Sequence, residues 1–184
     1  MRAAETVPVS ESDYRRVAAA ASEAAVRIAD LVRETPLDYS YRFSAETGAE
    51  VYFKLENLQY TGSFKLRGAA NRLATLTPEQ KKGGCVAASS GNHGAAVAYA
   101  MAKLGIDGVV FVPEQTSTAK VDAIRSYGGD VRFFGTDGLD TELHAREFAD
   151  EHGMFYLSPY NDAEVIAGQG TCGIEIAALM PGVD

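Results

Sequence analysis

Cys85-Val86-Ala87-Ala88-Ser89-Ser90-Gly91-Asn92-His93-Gly94 reads as a short apolar strand, a polar turn and the start of a helix. The helix that follows turns Val97, Ala98, Met101 and Leu104 to one face. The same order recurs outward along the chain. Val109-Val110-Phe111-Val112, Val131-Arg132-Phe133-Phe134 and Met154-Phe155-Tyr156-Leu157 are further apolar runs, and helical patterns follow the first two. Gly105 and Gly128-Gly129 fall where helix C-terminal glycines belong. The runs begin 22–24 residues apart, the cadence of βαβ units. They are too uniformly apolar to leave one sheet face wet. The spacing therefore predicts an α/β fold, a parallel sheet with helices on both faces. The cadence is a unit length without similarity between units, so it is not a sequence repeat.

The turn Ser89–Gly94 lies at the C-terminal end of a predicted parallel strand, where α/β proteins bind ligands. A helix N-terminus with two hydroxyls, an amide side chain and free N–H groups suits a carboxylate or a phosphate. It has neither the Gly-Lys-Ser/Thr ending of a Walker loop nor the G-x-G-x-x-G spacing. From the residues alone, a plain strand-to-helix turn is an equal alternative.

Upstream stands Thr61-Gly62-Ser63-Phe64-Lys65-Leu66-Arg67-Gly68-Ala69, after an alternating strand pattern over 51–55. A helical pattern with Ala69, Ala70, Leu73 and Leu76 on one face follows it. Lys65 is thus expected at the N-terminus of a helix. An amine buried at the positive end of a helix carries its proton less readily, which suits a nucleophile towards an aldehyde. A solvated surface lysine is the alternative. Thr77-Pro78-Glu79-Gln80 predicts another helix start. Near the N-terminus, residues 1–9 are expected to be loosely attached. A helix is predicted from a cap within Ser10–Asp13, through Val17, Ala20, Ala21, Ala24, Ile28, Leu31 and Val32, to a stop before Thr35-Pro36. Residues 36–50 read as loop and short extended pieces, with a turn at Glu46-Thr47-Gly48. Downstream, Gly168-Gln169-Gly170-Thr171 leads into a last helix over roughly 171–180.

The chain has 184 residues, 46% hydrophobic and 23% charged, enough for a real core. Its net charge of −8 argues against non-specific nucleic-acid binding and against docking on an anionic membrane. No run is long enough to span a bilayer, and Met1–Ser10 lacks the apolar core of a signal peptide. Cys85 and Cys172 lie in apolar or small-residue patterns. They can form a disulfide, but two buried thiols in a cytoplasmic protein is the preferred reading. No Cys/His cluster has zinc spacing, so no metal is expected.

The stretch Lys54-Leu55-Glu56-Asn57-Leu58-Gln59-Tyr60-Thr61-Gly62-Ser63-Phe64-Lys65-Leu66-Arg67-Gly68-Ala69 resembles the pyridoxal-phosphate lysine motif of the serine/threonine dehydratase family, which includes serine racemase. Ser89–Gly94 resembles that family's substrate-carboxylate loop. Thr35-Pro36-Leu37, the helix from Ala119-Lys120-Val121 to Tyr127-Gly128, and Val165–Thr171 match in order and spacing, so the resemblance covers about residues 26–180. Cysteine synthases fit less well, with Asn-Thr-Gly where this chain has Asn92-His93-Gly94, as do threonine synthases, with Asp where it has Leu66.

The resemblance implies fold type II, with a small domain and an incomplete large one. Residues 1–83 would begin the large domain, 84–157 form the small one, and 158–184 return to the large one. It implies pyridoxal 5'-phosphate as cofactor and a small β-hydroxy amino acid, such as serine or threonine, as substrate. The products would be a 2-oxo acid and ammonia. Lys65 would bond the cofactor's aldehyde and then take the Cα proton. Phe64 would lie against the ring and Asn92 would bond its hydroxyl. Ser89, Ser90, Gly91, Asn92 and His93 would hold the substrate carboxylate. Ser90 either shares that task or, as in serine racemase, acts as base on the opposite ring face; His93 has the alternative of bracing the loop. The family continues with a glycine-rich phosphate cradle, a residue facing the pyridine nitrogen and, in some members, a cation site, none of which is in this sequence. A truncated dehydratase, half of a split enzyme completed by a second chain, and a non-catalytic remnant that binds a partner are the three readings. Association with copies of itself or with a completing chain is expected.

Overall fold

The computed structural model describes residues 10–183, so the expectation for residues 1–9 lies outside the described residues. Helix α1 (Glu11–Arg27) starts at Ser10. Its hydroxyl accepts from the Asp13 N–H while the Asp13 carboxylate accepts from the Ser10 N–H, a closed capping box. The helix stops at Ile28, and turns rather than helix carry the chain to Pro36. Strand β1 (Leu37–Tyr39) pairs antiparallel with β2 (Tyr52–Lys54). Between them lies a helix where loop was expected, α2 (Tyr41–Thr47), capped by Ser40 and ended by Gly48 at φ 73°. The turn read at 46–48 is that helix's left-handed end.

A 3-10 turn (Glu56–Leu58) leads to α3 (Lys65–Ala74), then α4 (Pro78–Gly83), whose Thr77–Gln80 capping box and first-turn proline follow the sequence reading. Next come β3 (Cys85–Ala88), α5 (Asn92–Leu104), β4 (Gly108–Val112), α6 (Thr118–Ser126), β5 (Asp130–Phe133), α7 (Gly138–His152), β6 (Phe155–Tyr156) and α8 (Ala163–Leu179). The four strands of this second sheet are parallel, in the order β5-β4-β3-β6. Alternate side chains point to opposite faces. Cys85, Ala87, Val110 and Val112 pack with residues of α3, α5 and α6, while Val86, Val109 and Phe111 pack against Ala145 and Ala149 of α7. Both faces are therefore covered along β3 and β4, as their apolar runs require, while in the edge strand β5 only Val131 is buried.

The last helix begins eight residues before its expected start, because Asp162 caps it by accepting from the N–H groups of Glu164 and Val165. Gly168 and Gly170 lie inside it. A Cβ on Gly168 would meet the Gly68 Cα at 2.7 Å and the Asn71 Cβ at 2.8 Å. The glycine lets α8 cross α3 almost backbone to backbone, a packing need that reads in sequence as a break.

Candidate active site

Lys65 is the first residue of α3, and Ser63 prepares it: the buried Ser63 hydroxyl accepts from the Lys65 backbone N–H at 3.1 Å. The approach to this turn is also held. Gln59 is buried and pairs its side-chain amide with the Arg33 backbone, accepting from N–H at 2.8 Å and donating to the carbonyl at 2.7 Å. Gly62, at φ 71°, makes the left-handed bend before the lysine.

The Lys65 side chain is half-buried rather than enclosed. Its Nζ donates to the Pro159 carbonyl at 3.1 Å and lies 5.4 Å from the centre of the Phe64 ring. Phe64 is 44% exposed, so part of its ring is open to a ligand. Pro159 belongs to a strap, residues 157–162, that carries the chain from β6 to α8.

The second half of the site is the loop from β3 to α5. Ser89 extends the sheet by donating its N–H to the Phe111 carbonyl at 3.0 Å, and its hydroxyl accepts from the Gly91 N–H at 3.2 Å. Gly91 is the N-cap residue of α5 and offers no side-chain cap. The first-turn N–H groups are left to an outside acceptor, which favours an anion such as a carboxylate. Ser89 and Ser90 are half-buried, Gly91 and Asn92 exposed. Ser89, Ser90 and Gly91 also line a cavity of about 230 Å³ closed by Pro113 and Thr141. A larger cleft, about 830 Å³, opens at the other end of the strands among Gly108, Asp130 and His152, away from both motifs.

His93 departs from its neighbours in the loop. Its ring is buried and its Nε2 lies 3.2 Å from the Leu157 carbonyl, so the imidazole faces inward and only its backbone N–H is available to a carboxylate. Burial pushes its pKa down to about 4, with the charge of Lys65 acting the same way and the Leu157 bond opposing. The ring is therefore neutral at pH 7. Lys65 and the loop thus meet on one strap, at carbonyls two residues apart.

The residues that the sequence reading missed lie behind Lys65. Arg67 is fully buried. It forks onto Glu56 with two bonds of 2.8 Å, onto Glu175 with bonds of 2.6 and 2.9 Å, and reaches Thr171 Oγ1 at 3.1 Å. Lys54 pairs with Glu175 as well and donates to the Thr35 carbonyl, while Thr35 Oγ1 donates to Glu56 at 2.6 Å. Burial disfavours the Arg67 charge, but the bonds from Glu56 and Glu175 outweigh it and raise its pKa. Burial likewise raises Glu175, yet Arg67 and Lys54 hold its carboxyl below the usual range. A cue was present: Arg67 is a charge within Leu66-Arg67-Gly68-Ala69-Ala70, on a buried helix face. Among the described residues there is no group of three or more His, Cys, Asp or Glu placed to hold a metal. No described helix is long and apolar enough to cross a membrane, and Cys85 and Cys172 are free thiols.

A planar aldehyde cofactor fits these residues at one end: an amine to attach it, a partly open aromatic ring beside that amine, and an uncapped helix N-terminus for an anionic group. Comparison with known proteins agrees. The catabolic L-threonine dehydratase of Staphylococcus aureus is 46% identical over 155 residues, which are 84% of this chain and 45% of that protein. The structure of maize serine racemase superposes with a TM-score of 0.86 at 35% identity, over 90% of this chain and 50% of that one. The processed threonine deaminase isoform 2 of Solanum lycopersicum gives a TM-score of 0.87 at 32% identity, over 95% and 50%. The chain spans about half the length of the relatives it matches. The family described as pyridoxal-phosphate dependent enzyme matches residues 28–184, and with the lysine turn, the uncapped loop and the fold in agreement, the chain belongs to that family of fold type II enzymes.

Proposed function

We propose that this chain carries the lysine and carboxylate-binding half of a dehydratase that converts a β-hydroxy amino acid, such as L-threonine or L-serine, to a 2-oxo acid and ammonia. The observation that carries this reading is the meeting of Lys65 and the uncapped α5 N-terminus on one strap. Pyridoxal phosphate, when bound, supplies the electron sink for charge developing at the substrate Cα. Lys65 would anchor it through Nζ, Phe64 would lie along its ring, and Asn92 would bond its hydroxyl. The N–H groups at the start of α5, among them those of Asn92 and His93, would orient the substrate carboxylate, with Ser89, Ser90 and Gly91 beside them; the Ser89 and Gly91 N–H groups are already taken by the Phe111 carbonyl and the Ser89 hydroxyl. The Lys65 amine would hold and move the Cα proton.

The division into a large domain begun by residues 1–83, a small domain of 84–157 and a return from 158 belongs to the same proposal, as does a cytoplasmic setting, which the two free thiols suit. A second copy or a completing chain is expected to cover the exposed Tyr41, Phe43 and Phe53. The test is the visible absorbance of the protein with added pyridoxal phosphate. The wild type gains a band that Lys65→Ala lacks; identical spectra reject Lys65 as the anchor. Oxo-acid release from threonine and serine, with and without the other half of a relative, then separates an active half from a silent one. Ser90 in the loop and the likeness to maize serine racemase favour racemisation as a second reading. Absence of D-serine above the dehydration background removes it.

A further inference from the structure

The imidazole of His93 is more than a buried filler. A carbonyl oxygen only accepts, so the 3.2 Å contact with Leu157 makes Nε2 the protonated nitrogen. Nδ1 is then a bare acceptor, and it is buried without a hydrogen-bond partner among the described residues. The Leu157 carbonyl stands two residues before the Pro159 carbonyl that receives the Lys65 amine. Between them Ser158 is buried, and its hydroxyl closes the turn by accepting from the Asn161 N–H at 3.3 Å. Asp162 then pairs with Arg72 at 2.7 Å and caps α8. The strap is therefore fixed at its far end by α3 and α8, and at its near end by the Leu157 N–H, which donates to the Val86 carbonyl at 2.8 Å, and by His93 on the Leu157 carbonyl.

We propose that His93 is a positioning residue for Lys65: its Nε2–H fixes the strap, and the strap's Pro159 carbonyl places the lysine amine beside Phe64. This rests on the reading of Lys65 as the cofactor anchor. It assigns the side chain a task apart from carboxylate binding, which the backbone N–H of the same residue can perform.

The test labels the purified chain with pyridoxal phosphate and cyanoborohydride and follows each lysine by peptide mass spectrometry. The amine nitrogen adds to the aldehyde carbon, water leaves, and the reductant delivers hydride to the resulting C=N bond. Lys120, exposed on α6, is the internal reference. In the wild type Lys65 is labelled well ahead of Lys120. His93→Leu slows Lys65 labelling about tenfold, the scale of a misplaced reactive group, and leaves Lys120 unchanged. His93→Gln, with an uncharged Nε2–H of similar reach, recovers most of the rate; the shorter His93→Asn does not. Unchanged or faster Lys65 labelling in a folded His93→Leu overturns the proposal. If His93→Leu does not fold, equal rates in the Gln and Asn variants overturn it. A wild type that labels Lys65 no faster than Lys120 defeats the anchor reading itself, so the two failures are distinct.

Discussion

Arg67→Met removes a charge at nearly constant side-chain volume, and it separates the two carboxylates from the group that holds them together. Arg67 is 0% exposed, so solvent screens none of its four bonds to Glu56 and Glu175. In the variant Glu175 keeps Lys54, and Glu56 keeps the Thr35 hydroxyl. One carboxylate then lacks a cation, in a site that still excludes water. Removing one partner of a buried ion pair costs about 3–5 kcal/mol, most of it the stranded charge. For a chain of this size that lowers the thermal midpoint by roughly 6–20 °C. Urea unfolding followed by circular dichroism measures it directly. The exposed Arg15–Glu11 pair is the control, and Arg15→Met should shift the midpoint hardly at all. The variant should also change the acid limb. Glu175 has a depressed folded pKa, so its contribution is present above its ordinary value of 4.5 and is lost as pH falls through the lower folded value. Without Arg67 that limb flattens. A loss below about 1 kcal/mol, with the acid limb unchanged, would refute the claim that Arg67 pins α3 to α8.

Three further outcomes follow from the same packing. His93 has its folded pKa lowered from 6.5 to about 4, so its contribution to stability is complete above pH 6.5 and is lost as pH falls towards 4. In chemical denaturation, His93→Gln removes the pH dependence within that window, roughly 2–4 kcal/mol in the wild type, and leaves the steeper carboxylate limb below it. Gly168→Ala improves helix propensity by about 1 kcal/mol but sets a Cβ against the Gly68 Cα at 2.7 Å. The net expected from calorimetry is a loss of about 1–3 kcal/mol, and a gain in stability would show that the helices can part freely. Asp162→Ala deletes the α8 cap and the partner of Arg72 together, at a cost of about 1–3 kcal/mol; hydrogen exchange should show faster opening of residues 163–167, and unchanged protection there would deny the cap its role.

Which parts of this molecule could be read from its residues follows from the range of the forces involved. The four parallel strands and their helices were legible because burial on both sheet faces writes uniformly apolar runs, and a βαβ crossover fixes their spacing. The Thr77 cap was legible because its partners lie within one turn. Helix α2 was hidden because its seven residues carry no apolar stripe and are held by Ser40 and Gly48 at their ends. The start of α8 was hidden because Gly168 and Gly170 serve contacts with α3 and α1, which local propensity scores as breaks. Lys65, Phe64 and the Ser89–Gly94 turn stood out as motifs. The strap did not, because its part in the site is a backbone carbonyl.

A carbonyl such as that of Pro159 carries no side-chain identity, so substitution there acts only through φ and ψ or through what pins the strap. Its placement depends on His93 from α5, Arg72 from α3 and Asp162 at the head of α8. Each of these lies outside the lysine motif, yet each is joined to it through one short segment. Arg67, two residues from Lys65, ties the back of the same helix to α8 through Glu175. The lysine is thus held from the front by a backbone carbonyl of the strap and from behind by a closed charge network. The two part under mutation: His93→Leu removes a donor to the strap, and Arg67→Met opens the charge network. Labelling of Lys65 relative to Lys120 should fall in His93→Leu while the far-ultraviolet signal is kept, and loss of both together would show that strap and core are one unit.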